Sequence, residues 1–321
     1  MSKFVVVPNW NGAELICKCL DSLKKQDVEL EIVVVDNGSS DNSVELIQSK
    51  YPEVKLIQNK QNLGFAGGVN VGINYALSNK ARYIGLINND AYAEKGWARH
   101  LIDALKQNDN AGIATGKFMR DDKKHFDSTG DFYSIWGIPF PRGRNLVDSG
   151  QFNSNEKVFG ATGGASLYRA GLFKDIGLFD EEFFAYYEDV DLSFRAQLAG
   201  WRVAYAPAAV AYHHVGATSS KLGSFTRYHS IKNFLMLYTK NMPLWLYLKY
   251  LPLFLSQIVR FGVSSTIKGG LLAYLKAVIS FLFLVPSTLG KRFKIQKSRM
   301  VSVAQIDALL YHNRPPKIPK I

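Results

Sequence analysis

The sequence predicts an α/β protein whose central sheet is open, mostly parallel and flanked by helices on both faces. Four short apolar runs, at residues 4–7, 31–35, 54–58 and 82–87, alternate with helical segments near the start of the chain. Each run leads into a loop that carries Asn or Asp. Because ligands bind outside the carboxyl ends of the strands in such sheets, the pattern also predicts where a ligand site should lie.

The segments around these runs carry the signals of further elements. Apolar residues recur at helical spacing over 13–25, and Asp41 or Asn42 is placed to cap a helix over 43–50. Residues 117–157 are expected to be rich in loops, because Gly and Pro recur there among aromatic residues. Other helices are expected to end near residues 77 and 200 and to cover 91–105, 225–239, 244–259 and 271–285, with short strands over 203–205 and 210–212.

Composition and charge limit the class of protein. Hydrophobic residues make up 47% and charged residues 21%, which rules out a wholly disordered chain. No N-terminal secretory signal is expected, and Cys17 and Cys19 are interpreted as reduced packing residues of a cytoplasmic protein. The net charge of +12 is divided into −3 over residues 1–215 and +15 over residues 216–321. We therefore expect an α/β domain over 1–215 and a basic helical region over 216–321.

The basic region should meet a polyanion, either a nucleic acid or an anionic membrane surface. Its apolar segments contain Lys249, Pro252 and Lys276, so neither offers the ~20 uninterrupted apolar residues of a spanning helix. Long aliphatic runs have no use on a phosphate backbone, which favours an amphipathic segment that lies in the membrane interface. Two alternatives stay open: a helical subdomain whose apolar faces pack together, and a single tilted span over 271–289.

The loops at the strand ends offer the separate parts of a nucleotide-diphosphate site. The Asp36 carboxylate can accept a hydrogen bond from the imide N–H of a uracil or thymine ring. Gly64 and Gly67 permit close approach of the backbone, and Asn70 begins the next helix, where N–H groups favour phosphate. Asp90 ends the fourth run and can bind a divalent cation through oxygen. Each loop alone is ordinary turn chemistry, whereas the combination predicts one site.

A second acidic segment opens a predicted helix. Asp191 is expected to pair with Arg195 one turn later, which is a structural role. Asp189 is the stronger candidate for chemistry, because a carboxylate near a helix N-terminus stays ionised and can take a proton from an attacking hydroxyl. His213 or His214 can join the cation as a neutral imidazole, and either can equally be an ordinary core or surface histidine.

Seven motifs are distributed along the chain: Val-Val-Val-Pro-Asn-Trp-Asn-Gly (5–12), Val-Asp-Asn-Gly-Ser-Ser-Asp (35–41), Asn-Leu-Gly-Phe-Ala-Gly-Gly-Val-Asn (62–70), Asn-Asn-Asp (88–90), Gly-Leu-Phe-Asp-Glu-Glu-Phe-Phe (177–184), Tyr-Glu-Asp-Val-Asp-Leu (187–192) and Tyr-His-His (212–214). In this order and spacing they resemble the family 2 glycosyltransferases with the GT-A fold, and within them the rhamnosyltransferase-like group. The resemblance covers nearly the whole chain. It implies a GT-A catalytic domain over 1–215 and a membrane-associated extension over 216–321.

The resemblance also implies roles for individual residues. Asp189 matches the catalytic base of the family. Asp90 and His213 match the ligands of a divalent cation, Mg²⁺ or Mn²⁺, although counting alone leaves His214 as an alternative and only the last position of the Asp-x-Asp motif is acidic here. The acceptor side is implied to include Gly163, Gly164, Asp180 and Glu188. The nucleotide is implied to contact Pro8, Asn9, Asn11, Asp36, Asn37, Asn62, Gly64, Phe65, Gly67, Asn70 and Asn89.

The implied reaction is one displacement with inversion, in which a base takes the proton of an acceptor hydroxyl as that oxygen attacks the anomeric carbon. The implied donor is dTDP-L-rhamnose, and the implied acceptor is a lipid-linked or surface-polysaccharide glycan at the inner face of the cell membrane, with no nucleic-acid partner. The alternatives are galactose, N-acetylglucosamine or glucose from a UDP donor, and an inactive membrane-bound protein that binds glycan or nucleic acid. A dinucleotide enzyme is disfavoured, because the first strand lacks a following Gly-x-Gly-x-x-Gly.

Overall fold

The computed structural model describes residues 2–214 and 223–319. Its strands are β1 (Lys3–Asn9), β2 (Glu31–Asp36), β3 (Lys55–Gln58), β4 (Tyr83–Ile87), β5 (Ala91–Ala93), β6 (Ala111–Arg120), β7 (Phe126–Ser128), β8 (Asp131–Tyr133), β9 (Pro139–Pro141), β10 (Ala165–Arg169) and β11 (Arg202–His213). Within these residues, a mixed sheet runs in the order β3-β2-β1-β4-β10-β6-β11-β5, with β7 on β6, while β8 and β9 form a small hairpin.

The first four strands are parallel to one another, which confirms the predicted α/β class. Alternate side chains of β1 point to opposite faces of the sheet. Val5 and Val7 pack into one apolar core, whereas Phe4 and Val6 pack into the other. Because β1 is covered on both faces, its sequence is continuously apolar rather than alternating. The carboxyl ends of β1, β2 and β4 therefore meet at one edge of the sheet.

Helices cover both faces of the sheet, as predicted. The described helices are α1 (Ile16–Lys24), α2 (Ser43–Lys50), α3 (Gly64–Ser78), α4 (Trp97–Gln107), α5 (Ala170–Ile176), α6 (Glu188–Leu198), α7 (Gly223–Asn241), α8 (Leu244–Ile267), α9 (Leu271–Lys297) and α10 (Val303–Asp307). The core beneath α1, α2 and α4 lies on one face, and the core beneath α3, α5 and α6 lies on the other. Of the two predicted caps for α2, Asp41 accepts a hydrogen bond from the Ser43 N–H at 3.1 Å, and Asn42 makes no side-chain cap bond.

The stretch 117–157 is rich in loops as predicted, and it also contains the end of β6 and three short strands. Two other local predictions were wrong. The predicted helix over 91–105 begins only at Trp97, since its first residues pair with β11 as an edge strand. The two short strands after residue 200 are one strand, β11, with an irregularity between Ala206 and Val210.

The C-terminal region is helical as predicted, and its helices are longer than the sequence indicated. Pro252 lies inside α8 and Pro286 lies inside α9, so neither proline ends its helix. Side chains from this region, including Phe234 and Tyr238, share one apolar core with Tyr133 and Phe194 of the preceding part. The described parts of the two predicted regions, residues 2–214 and 223–319, therefore share a packed core.

Candidate active site

A cavity of about 610 Å³ opens at the carboxyl edge of the sheet. Residues from the loops after β1, β2 and β4 line one side of it, and residues from the N-terminal end of α6 line the other. The predicted site residues that line it are Pro8, Asn9, Asn37, Asn62, Gly64, Phe65, Asn89, Asp90, Gly163, Gly164, Glu188, Asp189 and His213. Side chains that are distant along the chain thus meet around one cleft.

Asp36 lies directly behind this wall and is almost fully buried. Its Oδ1 accepts hydrogen bonds from Asn9 Nδ2 at 2.9 Å and from the Ser39 hydroxyl at 2.6 Å. Asn9 Oδ1 in turn accepts from Asn89 Nδ2 at 2.8 Å. The carboxylate predicted to contact the base is therefore engaged with Asn9 and Ser39, and it orients the amide that does line the cavity.

The loop before α3 approaches the opposite wall closely. Asn62 Oδ1 accepts from the Gly64 N–H at 2.8 Å, and Asn37 Nδ2 donates to the Gly64 carbonyl at 2.8 Å. Gly64 has a φ of +73°, and a Cβ on it would come within 2.4 Å of the Phe184 carbonyl oxygen. This position therefore requires glycine for two reasons: its backbone conformation is left-handed, and a side chain would collide with Phe184.

Four other predicted site residues lie away from the cavity lining, because each has a structural partner. Asn70 donates to the Phe179 carbonyl at 2.9 Å and to Glu181 at 3.0 Å, so it joins α3 to a neighbouring turn. The remaining three are Gly67, which packs against Leu63, Asn11, which accepts from the Ser40 N–H, and Asp180, which pairs with Lys240 and Lys291. Their implied ligand contacts are not supported by this geometry.

Asp189 lies in the first turn of α6, on the cavity wall. Its Oδ2 accepts from the Gly163 N–H and its Oδ1 accepts from the Val190 N–H, both at 2.8 Å. Burial raises the pKa of this carboxyl, and these backbone hydrogen bonds oppose the rise without cancelling it. The N–H groups around the start of α6 favour the ionised form of Asp189 as expected, but burial outweighs them, so the group is a stronger base than an exposed aspartate.

Asp131 and Glu188 also line the cavity, and the first of them was not anticipated from the sequence. Burial and repulsion from Asp189 raise the pKa of Asp131 to about 7, even though its carboxylate accepts from the Ser128 hydroxyl at 3.0 Å. The same two causes raise the pKa of Glu188 well above its usual range. The carboxylate of Asp189 thus raises the pKa of both neighbours, so Asp131 and Glu188 hold a proton to a higher pH than exposed carboxyls do.

His213 lies between two carboxylates at the end of β11. Its Nε2 is 3.4 Å from Asp90 Oδ1, and its Nδ1 is 2.9 Å from Asp127 Oδ2. Burial alone would lower the pKa of His213, but these two carboxylates outweigh it and raise the pKa to about 9. His214 instead pairs with Asp121 at 3.0 Å on the exposed surface. Of the two histidines, His213 is therefore the one that faces the cavity.

The residues around Asp90 fit a cation that is shared with a ligand. Within residues 2–214 and 223–319, no group of three or more His, Cys, Asp and Glu side chains is arranged to hold a metal ion. Asp90 Oδ1 and Asn88 Oδ1 are buried; within the described residues Asn88 Oδ1 has no hydrogen-bond partner, and Asp90 Oδ1 has only the long 3.4 Å contact to His213 Nε2. Mg²⁺ in phosphate sites commonly uses one or two protein carboxylates and takes its other ligands from phosphate and water. Asp90 satisfies that pattern, and His213 Nε2, 3.4 Å from its Oδ1, is available as a further ligand once the imidazole has lost its proton.

Asp127 is a second residue that the sequence analysis missed. Its carboxylate holds His213 Nδ1 on one side and lies 2.9 Å from Arg144 Nη2 on the other. A metal-binding histidine commonly donates its other ring N–H to a carboxylate, which fixes the ring orientation. The signal in the sequence is the pair of acids in Phe-Asp-Ser-Thr-Gly-Asp (126–131), in a stretch that is predicted to be rich in loops.

Sequence comparisons identify relatives of this chain. A model of glycosyl transferase family 2 matches residues 4–177, more than half of the chain. The N-acetylglucosaminyl-diphospho-decaprenol L-rhamnosyltransferase of Mycobacterium tuberculosis is 28% identical over 67% of this chain and 77% of its own length. The poly-β-1,6-N-acetyl-D-glucosamine synthase of Staphylococcus epidermidis is 26% identical, over 65% of this chain and 49% of its own length.

Solved structures with the same fold are more distant in sequence. The crystal structure of S. aureus TarS 1–349 with UDP-GlcNAc has a TM-score of 0.57 at 18% identity and covers 98% of this chain and 93% of its own. The mannosyltransferase PcManGT from Pyrobaculum calidifontis, solved with GDP-Man and Mn²⁺, has a TM-score of 0.54 at 16% identity and covers 95% of this chain and 85% of its own. By its family match and its fold, this chain belongs to glycosyl transferase family 2 and is a GT-A glycosyltransferase.

Proposed function

We propose that this chain is an inverting rhamnosyltransferase that moves L-rhamnose from dTDP-L-rhamnose to a hydroxyl of a lipid-linked glycan acceptor. The observation that carries the proposal is that Asp189 and the Asp90–His213 pair line one cavity. The relative from Mycobacterium tuberculosis is named for L-rhamnosyl transfer to a diphospho-decaprenol acceptor, which supports the choice of sugar and of acceptor.

The proposed chemistry needs one base and one stabilised leaving group. The acceptor oxygen forms a bond to the anomeric carbon, the bond from that carbon to the diphosphate breaks, and Asp189 receives the hydroxyl proton. Attack on the face opposite the leaving group inverts the configuration. Asp90 and His213 would hold a divalent cation, which would supply positive charge to the diphosphate leaving group. The acceptor is proposed to enter beside Gly163 and Glu188, next to the base.

Full-length protein incubated with a panel of nucleotide sugars should release nucleoside diphosphate at least about tenfold faster from dTDP-L-rhamnose than from UDP-linked galactose, glucose or N-acetylglucosamine. Release should stop with a chelator and return with Mn²⁺ or Mg²⁺. Faster release from a UDP-sugar would replace the donor assignment. Binding without release from every donor, with lipid-linked acceptor present, would favour the inactive glycan-binding alternative.

We also propose that the chain associates peripherally with the inner face of the cell membrane through α8 and α9. Large apolar side chains are exposed along both helices, including Phe283, which is 82% exposed. Lys and Arg residues flank this surface, which suits anionic lipid. We call it the α8–α9 face, and its members are Leu244, Trp245, Leu248, Leu255, Val259, Val263, Ile267, Leu271, Leu272, Leu275, Ile279, Leu282, Phe283, Leu289 and Phe293.

An interfacial position suits α9 better than a membrane crossing. Among the described helices, α9 is the one that is long and apolar enough to span a bilayer. One of its sides, however, is attached to the rest of the protein: Ser287 donates to Glu182 at 2.6 Å, and Lys291 pairs with Asp180 at 2.6 Å. A crossing would break these contacts, whereas an interfacial helix keeps them and buries its exposed side in lipid.

Replacing Ile267 and Phe283 together by Asn should weaken binding to phosphatidylglycerol-containing vesicles by about tenfold or more, because each side chain loses apolar burial. Met300→Asn is the matched control, since Met300 is 80% exposed but lies beyond α9. Vesicle co-sedimentation of the full chain at two salt concentrations measures the effect. Equal binding by the double variant and wild type would show that the α8–α9 face is not the lipid contact.

A further inference from the structure

The segment that leads into α6 has an unusual backbone. Phe184, Tyr186 and Tyr187 have φ values of +65°, +72° and +70°, in the left-handed region that non-glycine residues rarely adopt. Such strain persists only where surrounding contacts enforce it, and it clusters at functional sites. The segment ends directly before Glu188 and Asp189, so its conformation decides where the first turn of α6 begins.

The contacts that enforce this backbone come from α7. Asn233 is fully buried, and its Nδ2 lies 2.9 Å from the Phe183 carbonyl oxygen, 2.8 Å from that of Ala185 and 2.7 Å from that of Tyr186. Three carbonyl groups of one short segment therefore converge on a single amide nitrogen. Lys232, the preceding residue of α7, donates to the Glu182 carbonyl at 2.5 Å.

The opposite side of the segment touches the nucleotide side of the cavity. The Phe184 carbonyl accepts from the Ala66 N–H at 3.2 Å, and its close approach requires the glycine at position 64. Phe184 and Tyr187 both line the cavity. The strained segment therefore connects three parts of the site: the loop before α3, the cavity wall and the base on α6.

We propose that Asn233 is a positioning residue for sugar transfer, an inference that rests on the proposed function. Its carboxamide holds the carbonyls of residues 183, 185 and 186 so that Asp189 faces the cavity while Phe184 closes on the Gly64 loop. Only the donor half of this side chain is used, since Asn233 Oδ1 is buried without a hydrogen-bond partner among the described residues. An aspartate of the same shape would offer no N–H and would set a negative charge against three carbonyl oxygens.

The test compares Asn233→Ala and Asn233→Asp with Asn241→Ala in the full-length protein. Asn241 is the matched control, because it is also fully buried in α7 but donates to Asp191 at 2.7 Å and does not contact the strained segment. Both Asn233 variants should lower kcat about 100-fold, since small misplacement of reacting groups has effects of that size. Nucleotide affinity should change less than kcat. Asn241→Ala should lose thermal stability to a similar extent while its kcat stays within about threefold of wild type.

Two further readouts separate positioning from a general loss of structure. A protonated carboxyl can donate one hydrogen bond, so the ratio of kcat for Asn233→Asp to kcat for Asn233→Ala should rise as pH falls. Amide hydrogen exchange over residues 182–190 should accelerate in Asn233→Ala but not in Asn241→Ala, whether or not a donor has been found. Parallel losses of kcat and stability in Asn233→Ala and Asn241→Ala, or unchanged exchange in Asn233→Ala, would overturn the inference. Absence of transfer by wild type would count against the proposed function alone.

Discussion

Replacing Asp189 by Asn is expected to reduce the rate of sugar transfer by about 10²–10⁴-fold, the usual contribution of a general base. The variant keeps the size of the side chain, and its amide oxygen can still accept from the Gly163 or Val190 N–H groups that hold the carboxylate now. What it loses is the ability to receive the proton of the acceptor hydroxyl. Nucleotide affinity should therefore stay within about threefold of wild type, because the cavity wall that Asn9 and Gly64 form is unchanged.

Asp131→Asn distinguishes Asp189 from its neighbour in the same assay. Asp131 also lines the cavity, but it is engaged with Ser128, so its loss should reduce transfer by less than about tenfold. Single-turnover rates with saturating donor, together with calorimetric titration of the nucleotide, separate chemistry from binding. If Asp131→Asn is the more damaging change, the base has been assigned to the wrong carboxyl.

The pH dependence of transfer should report the environment of the base. Burial raises the pKa of Asp189, so the group takes up a proton at a higher pH than an exposed aspartate, whose pKa is about 3.9. Only the ionised form can accept the acceptor's proton, and activity must therefore fall as pH decreases through this raised value. An acidic limb centred below about 4 would contradict the burial of the base.

Local patterns in the sequence predicted the parts of the fold that depend on neighbouring residues. The apolar runs of β1 to β4 and the pairing of Asp191 with Arg195 at 2.8 Å both follow from short spacings along the chain. The short strands between residues 117 and 157 depend instead on the pairing of β7 with β6 and of β8 with β9, and on tight turns. No periodicity within a three-residue strand can reveal such pairing, and Asp127 and Asp131 were missed with them.

The candidate site shows the same division between features that local sequence predicts and features that three-dimensional contacts decide. Strand-end position indicated Asp90, the family resemblance implied Asn9 and His213, and all three line one cavity. Which partner a side chain engages is decided by three-dimensional contacts, so Asp36 and Asn70 were assigned to a ligand although both are occupied within the protein. The role of Asn233 could not be predicted from the sequence for the same reason, because its three partners are about fifty residues away along the chain.

The charge count of the C-terminal region also needs its three-dimensional context. The predicted charge of this region counts every Lys and Arg as available to a polyanion. Lys240, however, is 3% exposed and lies 2.6 Å from Asp180 and 2.9 Å from Asp191. Lys291 contacts Asp180 as well, at 2.6 Å. These lysines neutralise acids of the preceding part, where Asp191 is fully buried in α6, the helix that begins beside Asp189.

Lys240→Met should therefore lower the free energy of unfolding by about 3–5 kcal/mol, the usual result of removing one partner from a buried ion pair. Methionine preserves most of the length and apolar packing of lysine, so the loss reflects charge. Burial would raise the pKa of Asp191, but Lys240 and Arg195 hold it below its usual value. Without Lys240, the Asp191 carboxylate keeps its contacts with Arg195 and Asn241. The lysine charge that offsets the repulsion between Asp191 and Asp180 is then lost.

Lys249→Met is the matched control, because Lys249 pairs with Asp307 at 2.8 Å but is 43% exposed, and such pairs contribute about 1 kcal/mol or less. Urea unfolding of both full-length variants at neutral pH measures the difference. Similar losses in the two would mean that the Lys240 pairs carry no more energy than surface ones. A large loss in Lys240→Met alone would show that α7 stabilises α6, and that the chain cannot be cut near residue 220 without exposing buried acids beside the proposed base.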